Sequence, residues 1–297
     1  MSAVLYDIPG PRARVRNRGI GIFAYVAIAG LIAYAIYRFY LTDQFAARKW
    51  EIFQFEAIQQ QLLDALGATL TAAGIATVLA LVFGAVFATG RLSDHWFFRA
   101  PSSWMVELFR AIPLLILMFF LYYGLRGVGI SLSALWAVVL GLMLYNGSVL
   151  AEIFRAGILA VPRGQSEAAY ALGMRKTQVM TSILLPQAVR SMLPSIVSQL
   201  VVLLKDTALG FIIQYQEMVY VAKQIGGKLV YGFPSLQAYL IIAVIYISMC
   251  AFLSWFAHWL ERRMREGGRK KGIKVLPADA LTDEATGPTQ VPPAKSP

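Results

Sequence analysis

The sequence predicts an all-α, polytopic membrane protein with six transmembrane helices. Three observations carry this. Of 297 residues, 58% are hydrophobic and 14% charged, more apolar sequence than one soluble core needs. The apolar residues arrive in six separate blocks, and basic residues cluster beside alternate blocks. A helix rises about 1.5 Å per residue, so roughly 20 apolar residues cross a hydrocarbon layer about 30 Å thick.

The blocks run over residues 20–40, 68–90, 104–125, 134–156, 183–204 and 236–260. The first is longer than a signal-peptide core and is followed by no small-residue cleavage pattern, so it is expected to remain as an anchor. The third contains Pro113, which should loosen its backbone locally. The fifth opens near Pro186, where a bend is expected. The sixth contains Cys250, whose solitary presence excludes an intrachain disulfide.

Charge sets the orientation, because basic residues in short loops stay on the cytoplasmic side. Arg12, Arg14, Arg16 and Arg18 precede the first block, in a basic segment at 1–19. Arg91 and Arg99 follow the second, and Arg163, Arg175 and Lys176 follow the fourth. Seven basic residues from Arg262 to Lys274 follow the sixth. Arg48, Lys49, Arg126, Lys223 and Lys228 are spread thinly over the other side. A multi-pass protein of the cytoplasmic membrane with both termini in the cytoplasm is predicted.

This asymmetry accounts for the net charge of +11 without a nucleic acid partner, since the basic residues flank spans rather than interleave with aromatics on a soluble face. The two histidines, His95 and His258, lack metal-ligand spacing. No metal site and no cofactor are expected in this chain, which carries no GxxxxGK[ST] phosphate loop. Residues 275–297, rich in Pro and polar residues, should form a disordered cytoplasmic tail.

The loop at 162–186 fits neither lipid nor a simple turn. Pro162 and Gly164 mark a turn, Ser166 and Glu167 suit a helix start, and Ala168, Ala169, Ala171 and Leu172 favour a helix. Gly173 can supply the left-handed residue that ends it, and Thr177 can cap a second helix leading into the fifth span. Ala168, Ala169 and Leu172 fall on one face, and so short a helix needs a surface to dock on.

Glu167, Ala168, Ala169, Gly173, Ile183, Leu185 and Pro186 stand at the spacing EAA, three residues, G, nine residues, I, one residue, LP. This resembles the EAA loop of permease subunits of bacterial ATP-driven importers. Three further stretches, "FRAIPLLILMFFLYYGL", "YNGSVLAEIFRAGILAVPRGQSEAAYALG" and "LLPQAVRSMLPSIVSQLVVLLKDTALG", resemble the polar amino acid branch, the histidine, arginine, glutamine and glutamate permeases. The likeness covers about residues 66–262 and is greatest for glutamate permeases of actinobacterial type. It implies a five-helix importer core, to which the block at 20–40 is an addition. The family says little about that block or about residues 41–65.

The resemblance also implies partners: an ATP-binding cassette ATPase dimer that binds ATP, a second permease subunit, here expected to be a related different chain, and an extracytoplasmic substrate-binding protein. Arg163, Gly164, Glu167, Ala168, Ala169, Leu172 and Gly173 would then couple this chain to the ATPase. No enzymatic activity of its own is expected.

Ionisable groups at membrane depth usually face a bundle interior or a water-filled cavity. Arg110, Asn146, Glu152, Arg155, Ser195, Ser198 and Gln199 are therefore candidate substrate contacts. An arginine fork suits a carboxylate, and Glu152 suits an ammonium. Equally, Arg110, Glu152 and Arg155 could satisfy one another as an internal ion-pair network. Glu107 reads as a helix-start charge, and Lys205 and Asp206 as charges at an outer helix end. An ion-coupled secondary transporter is the alternative function, but it has no reason to carry the 167–186 spacing. A membrane enzyme would need a catalytic constellation, and none is present. The expectation is a permease subunit for a polar amino acid, with glutamate as the leading candidate.

Overall fold

The structure, a computed structural model, describes residues 10–269; the tail expected at 275–297 and residues 1–9 lie outside them. The described chain is helical, with no strand. Helix α1 spans Pro11–Leu41, with Pro11 in its first turn, where a missing amide costs nothing. It starts nine residues before the expected block, so Arg12, Arg14, Arg16 and Arg18 lie on its opening turns rather than in a separate segment. No α1 residue is buried within the chain.

The short α2, Arg48–Glu51, and a 3-10 turn, Ile52–Gln54, lead into α3, Glu56–Arg91, three turns longer at its start than the apolar block. Segment 41–65 is packed onto the core. Ile52 and Ile58 are buried with Met218, Ala222, Ile225, Ala238 and Ile242, and the buried Gln237 amide donates to the Gln44 carbonyl.

The third block departs most from expectation. It is two helices, α4 at Trp96–Ala111 and α5 at Leu114–Phe119, the latter running on through a π turn and a 3-10 turn to Val128. The two halves meet at 99°. Pro113 disfavours helix at the preceding residue, and Ile112 is extended, with ψ 125°. The proline thus breaks the span instead of loosening it.

Next come α6, Ala134–Leu159, the loop helices α7, Arg163–Ala171, and α8, Lys176–Gln178, and then α9, Leu185–Asp206. A 3-10 segment, Thr207–Ile213, leads to α10, Met218–Gly226, and the chain ends in α11, Ser235–Arg269. Among the described residues, five helices or helical stretches are long and apolar enough to cross a membrane, and the bent pair, taken as one span, makes a sixth.

The core is the contact of α3 with α6. Ala72, Ala76, Ala80, Gly84 and Ala88 recur every four residues on α3, forming a ridge of small side chains that lets the backbones approach. A Cβ on Gly147 would meet Phe83 at 2.8 Å, and one on Gly84 would meet Leu150 at 2.9 Å. With lipid as apolar as the helices, such close packing is what holds them together.

Candidate coupling loop and intramembrane polar sites

Helix α7 begins at Arg163 with Pro162 as its cap, three residues before the Ser166–Glu167 start that the sequence suggests. Proline has no N–H to leave unpaired there, so it marks the boundary; Ser166 instead donates to the Arg163 carbonyl at 2.7 Å. Gly164 lies within the helix. At the other end Gly173 is left-handed, φ 77°. Its amide donates to the Tyr170 carbonyl at 2.9 Å and that of Met174 to the Ala169 carbonyl at 3.2 Å. This paired closure stops the helix after nine residues.

The second start also differs from expectation. Thr177 does not cap α8. The cap is Arg175, whose amide donates to the Gln178 side chain at 2.9 Å. Residues Val179–Leu184 then form a π turn. Pro186 follows at the start of α9, and its ring would crowd the Ser182 carbonyl four residues back, so the wider turn relieves it.

The loop docks on its own chain by one face. Helix α7 lies against the π turn, and Ala169 and Val179 are both buried. Ala169 is thus turned away from Ala168 and Leu172, contrary to the shared face expected from spacing. Gly164, Glu167, Ala168, Ala171 and Leu172 are exposed, Leu172 at 83%. A small, weakly charged surface is left for a partner. Lys176 also pairs with Asp94 in the turn before α4, and this holds the Asp94 carboxyl below the usual carboxylate range.

The polar residues inside the bundle fall into two groups. At the α7 end, Glu152 is bound by Arg155, with Nε to Oε2 3.2 Å, and by Arg91 of α3, with Nη1 to Oε2 2.9 Å. Arg91 also lies 3.7 Å from Glu107 of α4. Glu107 therefore belongs to an ion cluster and is not a helix-start charge. Arg110 forms no ion pair among the described residues; it is exposed in the last turn of α4 and acts on Glu152 only through space. Sequence reasoning missed Arg91, which at a helix end reads as a flanking charge.

About nine ångströms deeper along α6, six residues at 1.5 Å each, is the second group. The fully buried Asn146 accepts from the Gln199 amide at 2.7 Å. Asn146 Nδ2 has no acceptor at hydrogen-bond geometry, although the Asp206 carboxyl approaches it. Asp206 is thus turned partly inward and is not only an outer helix-end charge. Ser195 and Ser198 are exposed on α9, with the Ser198 hydroxyl donating to the Pro194 carbonyl at 2.9 Å. Among the described residues no His, Cys, Asp and Glu group could hold a metal.

Residues 80–266 match the family described as binding-protein-dependent transport system inner membrane component. The chain belongs to this family. It is 42% identical, over 77% of its length and 85% of the relative's, to a glutamate transport system permease protein of Corynebacterium glutamicum. It is 35% identical, over 68% of its length and 93% of the relative's, to a probable glutamine ABC transporter permease protein of Bacillus subtilis. A solved structure of an amino acid ABC transporter with histidines superposes with a TM-score of 0.65 at 31% identity, covering 69% of this chain and 94% of that one. The MetNI methionine transporter in an inward-facing form, at 18% identity and TM-score 0.60, shares the fold. This permease is accordingly a transport component and not an enzyme, and the secondary-transporter alternative is not favoured.

Proposed function

We propose that this permease forms the translocation path for glutamate in an ATP-driven importer of the cytoplasmic membrane, with both termini cytoplasmic. Its partners are an ATPase dimer that binds ATP, a second and different permease chain, an extracytoplasmic substrate-binding protein and the surrounding lipid. Neither nucleic acid nor a cofactor of its own is involved. The importer core extends over 66–262, with the helix at 20–40 as an addition. The geometry of α7 carries the reading: a nine-residue helix ended by a left-handed glycine, braced on its own chain by Ala169 and exposed on its opposite face. In this reading Arg163, Gly164, Glu167, Ala168 and Leu172 meet the ATPase, while Ala169 and Gly173 set the helix's pose.

The 42% identical glutamate permease supports glutamate as the substrate. Arg110, Asn146, Glu152, Arg155, Ser195, Ser198 and Gln199 remain the proposed path contacts, in two tiers. Arg110 offers a fork to a carboxylate; Asn146 and Gln199 offer amide groups deeper in the bundle. Uptake of radiolabelled glutamate by the complex reconstituted with its partners, in competition with glutamine, histidine and arginine, tests this. Stronger competition by one of those three than by unlabelled glutamate would overturn the substrate assignment.

A further inference from the structure

The outward face of α10 and the turn after it carry two lysines, Lys223 and Lys228, that form no ion pair among the described residues. Val221, Ala222 and Ile225 are buried, while Tyr220, Lys223 and Gln224 fall on the opposite face. That face, with Phe211 and Gln214 from the preceding segment and Lys228 at the rim, encloses an open basin of about 670 Å³. The basin lies at the end of the bundle opposite α7. Lys223 Nζ stands 5.6 Å from the Phe211 ring centre and Lys228 Nζ 5.9 Å from that of Tyr231. Neither forms an ion pair among the described residues, and no acidic side chain lines the basin.

The walls are held rigidly. The fully buried Glu217 carboxyl accepts from the Val219 amide at 2.9 Å, the Tyr220 amide at 2.8 Å and the Tyr246 hydroxyl at 3.1 Å, pinning α10 to α11. The Met218 amide donates to Thr69 Oγ1 at 3.3 Å, pinning it to α3. Gln214 is left-handed, φ 65°, a conformation that costs a non-glycine residue energy and concentrates at functional positions.

We propose that this basin is the extracytoplasmic entry site, where Lys223 and Lys228 meet the side-chain carboxylate of the acidic amino acid released to the permease. The assignment rests on the glutamate reading above. A cleft lined by one sign of charge, with apolar walls, concentrates an ion of the opposite sign. Lysine is a mobile point charge without arginine's fixed fork, which suits a carboxylate that must be held loosely and passed on. The volume lies within the range of roughly 300–1,000 Å³ typical of small-molecule sites, so the concavity favours a small anion over a protein surface.

The test uses the complete complex in proteoliposomes with its binding protein, comparing wild type, the double variant Lys223→Gln with Lys228→Gln, and the double Lys→Arg variant. Glutamate uptake and binding-protein-stimulated ATP hydrolysis are both measured over a salt series. Uptake by the Gln variant should fall about tenfold, within the span of electrostatic focusing, and lose most of its salt dependence. The Arg variant should stay near wild type, and the binding-protein concentration that half-stimulates hydrolysis should not move. Unchanged uptake by the Gln variant, with wild type moving glutamate, would overturn the basin and leave the substrate reading standing. A rise in the half-stimulating concentration would also overturn it, because the lysines would then be docking the binding protein. Absence of glutamate uptake by wild type would overturn both.

Discussion

Arg91 and Glu152 face each other across the contact between α3 and α6, Nη1 to Oε2 2.9 Å, with the Arg91 side chain only 11% exposed. The pairing is ionic and poorly aligned, since neither Nε nor Nη1 meets an acceptor at hydrogen-bond angles. Arg155, one turn along α6, holds both Glu152 oxygens, Oε1 through Nη2 and Oε2 through Nε. Glu152 is thus shared between two arginines, and Arg110 is not one of them. The charge cluster ties together the α7-side ends of the two helices that form the core and, through Glu107, the later turns of α4 in the broken span.

Arg91→Ala should therefore damage the assembled protein more than Arg110→Ala does. Removing it leaves a partly buried carboxylate with one partner in place of two, a penalty of about 1–3 kcal/mol. Thermal unfolding of the purified complex should show a clear drop for Arg91→Ala, partly recovered in the double variant with Glu152→Ala. Equal melting temperatures for Arg91→Ala and wild type would remove the cluster from the list of stabilising contacts.

Gly173→Val should uncouple uptake from ATP hydrolysis while leaving insertion intact. A Cβ there meets nothing within 4 Å, so the penalty is confined to the backbone, φ 77°. That conformation costs a β-branched residue more than about 1 kcal/mol, enough to unseat α7. Gly173→Asn should be milder, because asparagine tolerates the left-handed region. Normal uptake by Gly173→Val would show that the exit of α7 does not set the coupling.

How much was legible in the sequence can be judged from these residues. Gly173 was legible because a glycine after a helical run has one common structural use. The spans were legible from length and hydropathy alone, but the break at Ile112–Pro113 was not, since a proline in an apolar run can bend a helix or end it. Arg91 was hidden because a basic residue at a helix end reads the same whether it meets headgroups or turns inward. The face of α7 was hidden because adjacent alanines differ only in what lies behind them, which is the π turn that begins ten residues after Ala169 and whose fold back onto α7 the local pattern does not specify.

That difference gives a discriminating pair. Ala168→Asp places a charge on the exposed face and should release the ATPase while the permease stays folded. Ala169→Asp places it against the chain's own buried surface and should lower permease yield instead. Co-purification with the ATPase and total membrane yield distinguish the two. Retention of the ATPase by Ala168→Asp would mean that the docking face lies elsewhere on the loop.

The stability of the bundle end that holds α10 should depend on pH through Glu217. Burial pushes its carboxyl up to about 7, outweighing the two amides and the Tyr246 hydroxyl that favour the charged form. A carboxyl whose pKa is higher folded than unfolded contributes stability that is complete below about 4.3, the unfolded value, and fades as pH rises through about 7. Wild type should melt at a lower temperature at pH 8 than at pH 5, and Glu217→Gln should flatten that slope. An identical slope in the variant would assign the pH dependence to other groups.

If Arg110 neutralised Glu152, its loss would be structural and the double variant with Glu152→Ala would restore assembly. The structure gives that task to Arg91 and Arg155 and leaves Arg110 exposed at the end of α4, two residues before Ile112, where the chain turns by 99°. An arginine without an ion pair at membrane depth is costly unless it meets water or an anion. Arg110→Ala should therefore assemble normally and weaken glutamate recognition by roughly 1.5–3 kcal/mol, the range for hydrogen bonds to a charged group. Arg110→Lys should recover little, because a point charge cannot reproduce the two parallel bonds of the fork. The measurement is the half-saturating glutamate concentration for uptake alongside complex yield for wild type and both variants. Normal uptake by a well-assembled Arg110→Ala complex removes Arg110 from the substrate path, and a fall in yield that matches the fall in uptake returns it to a structural role.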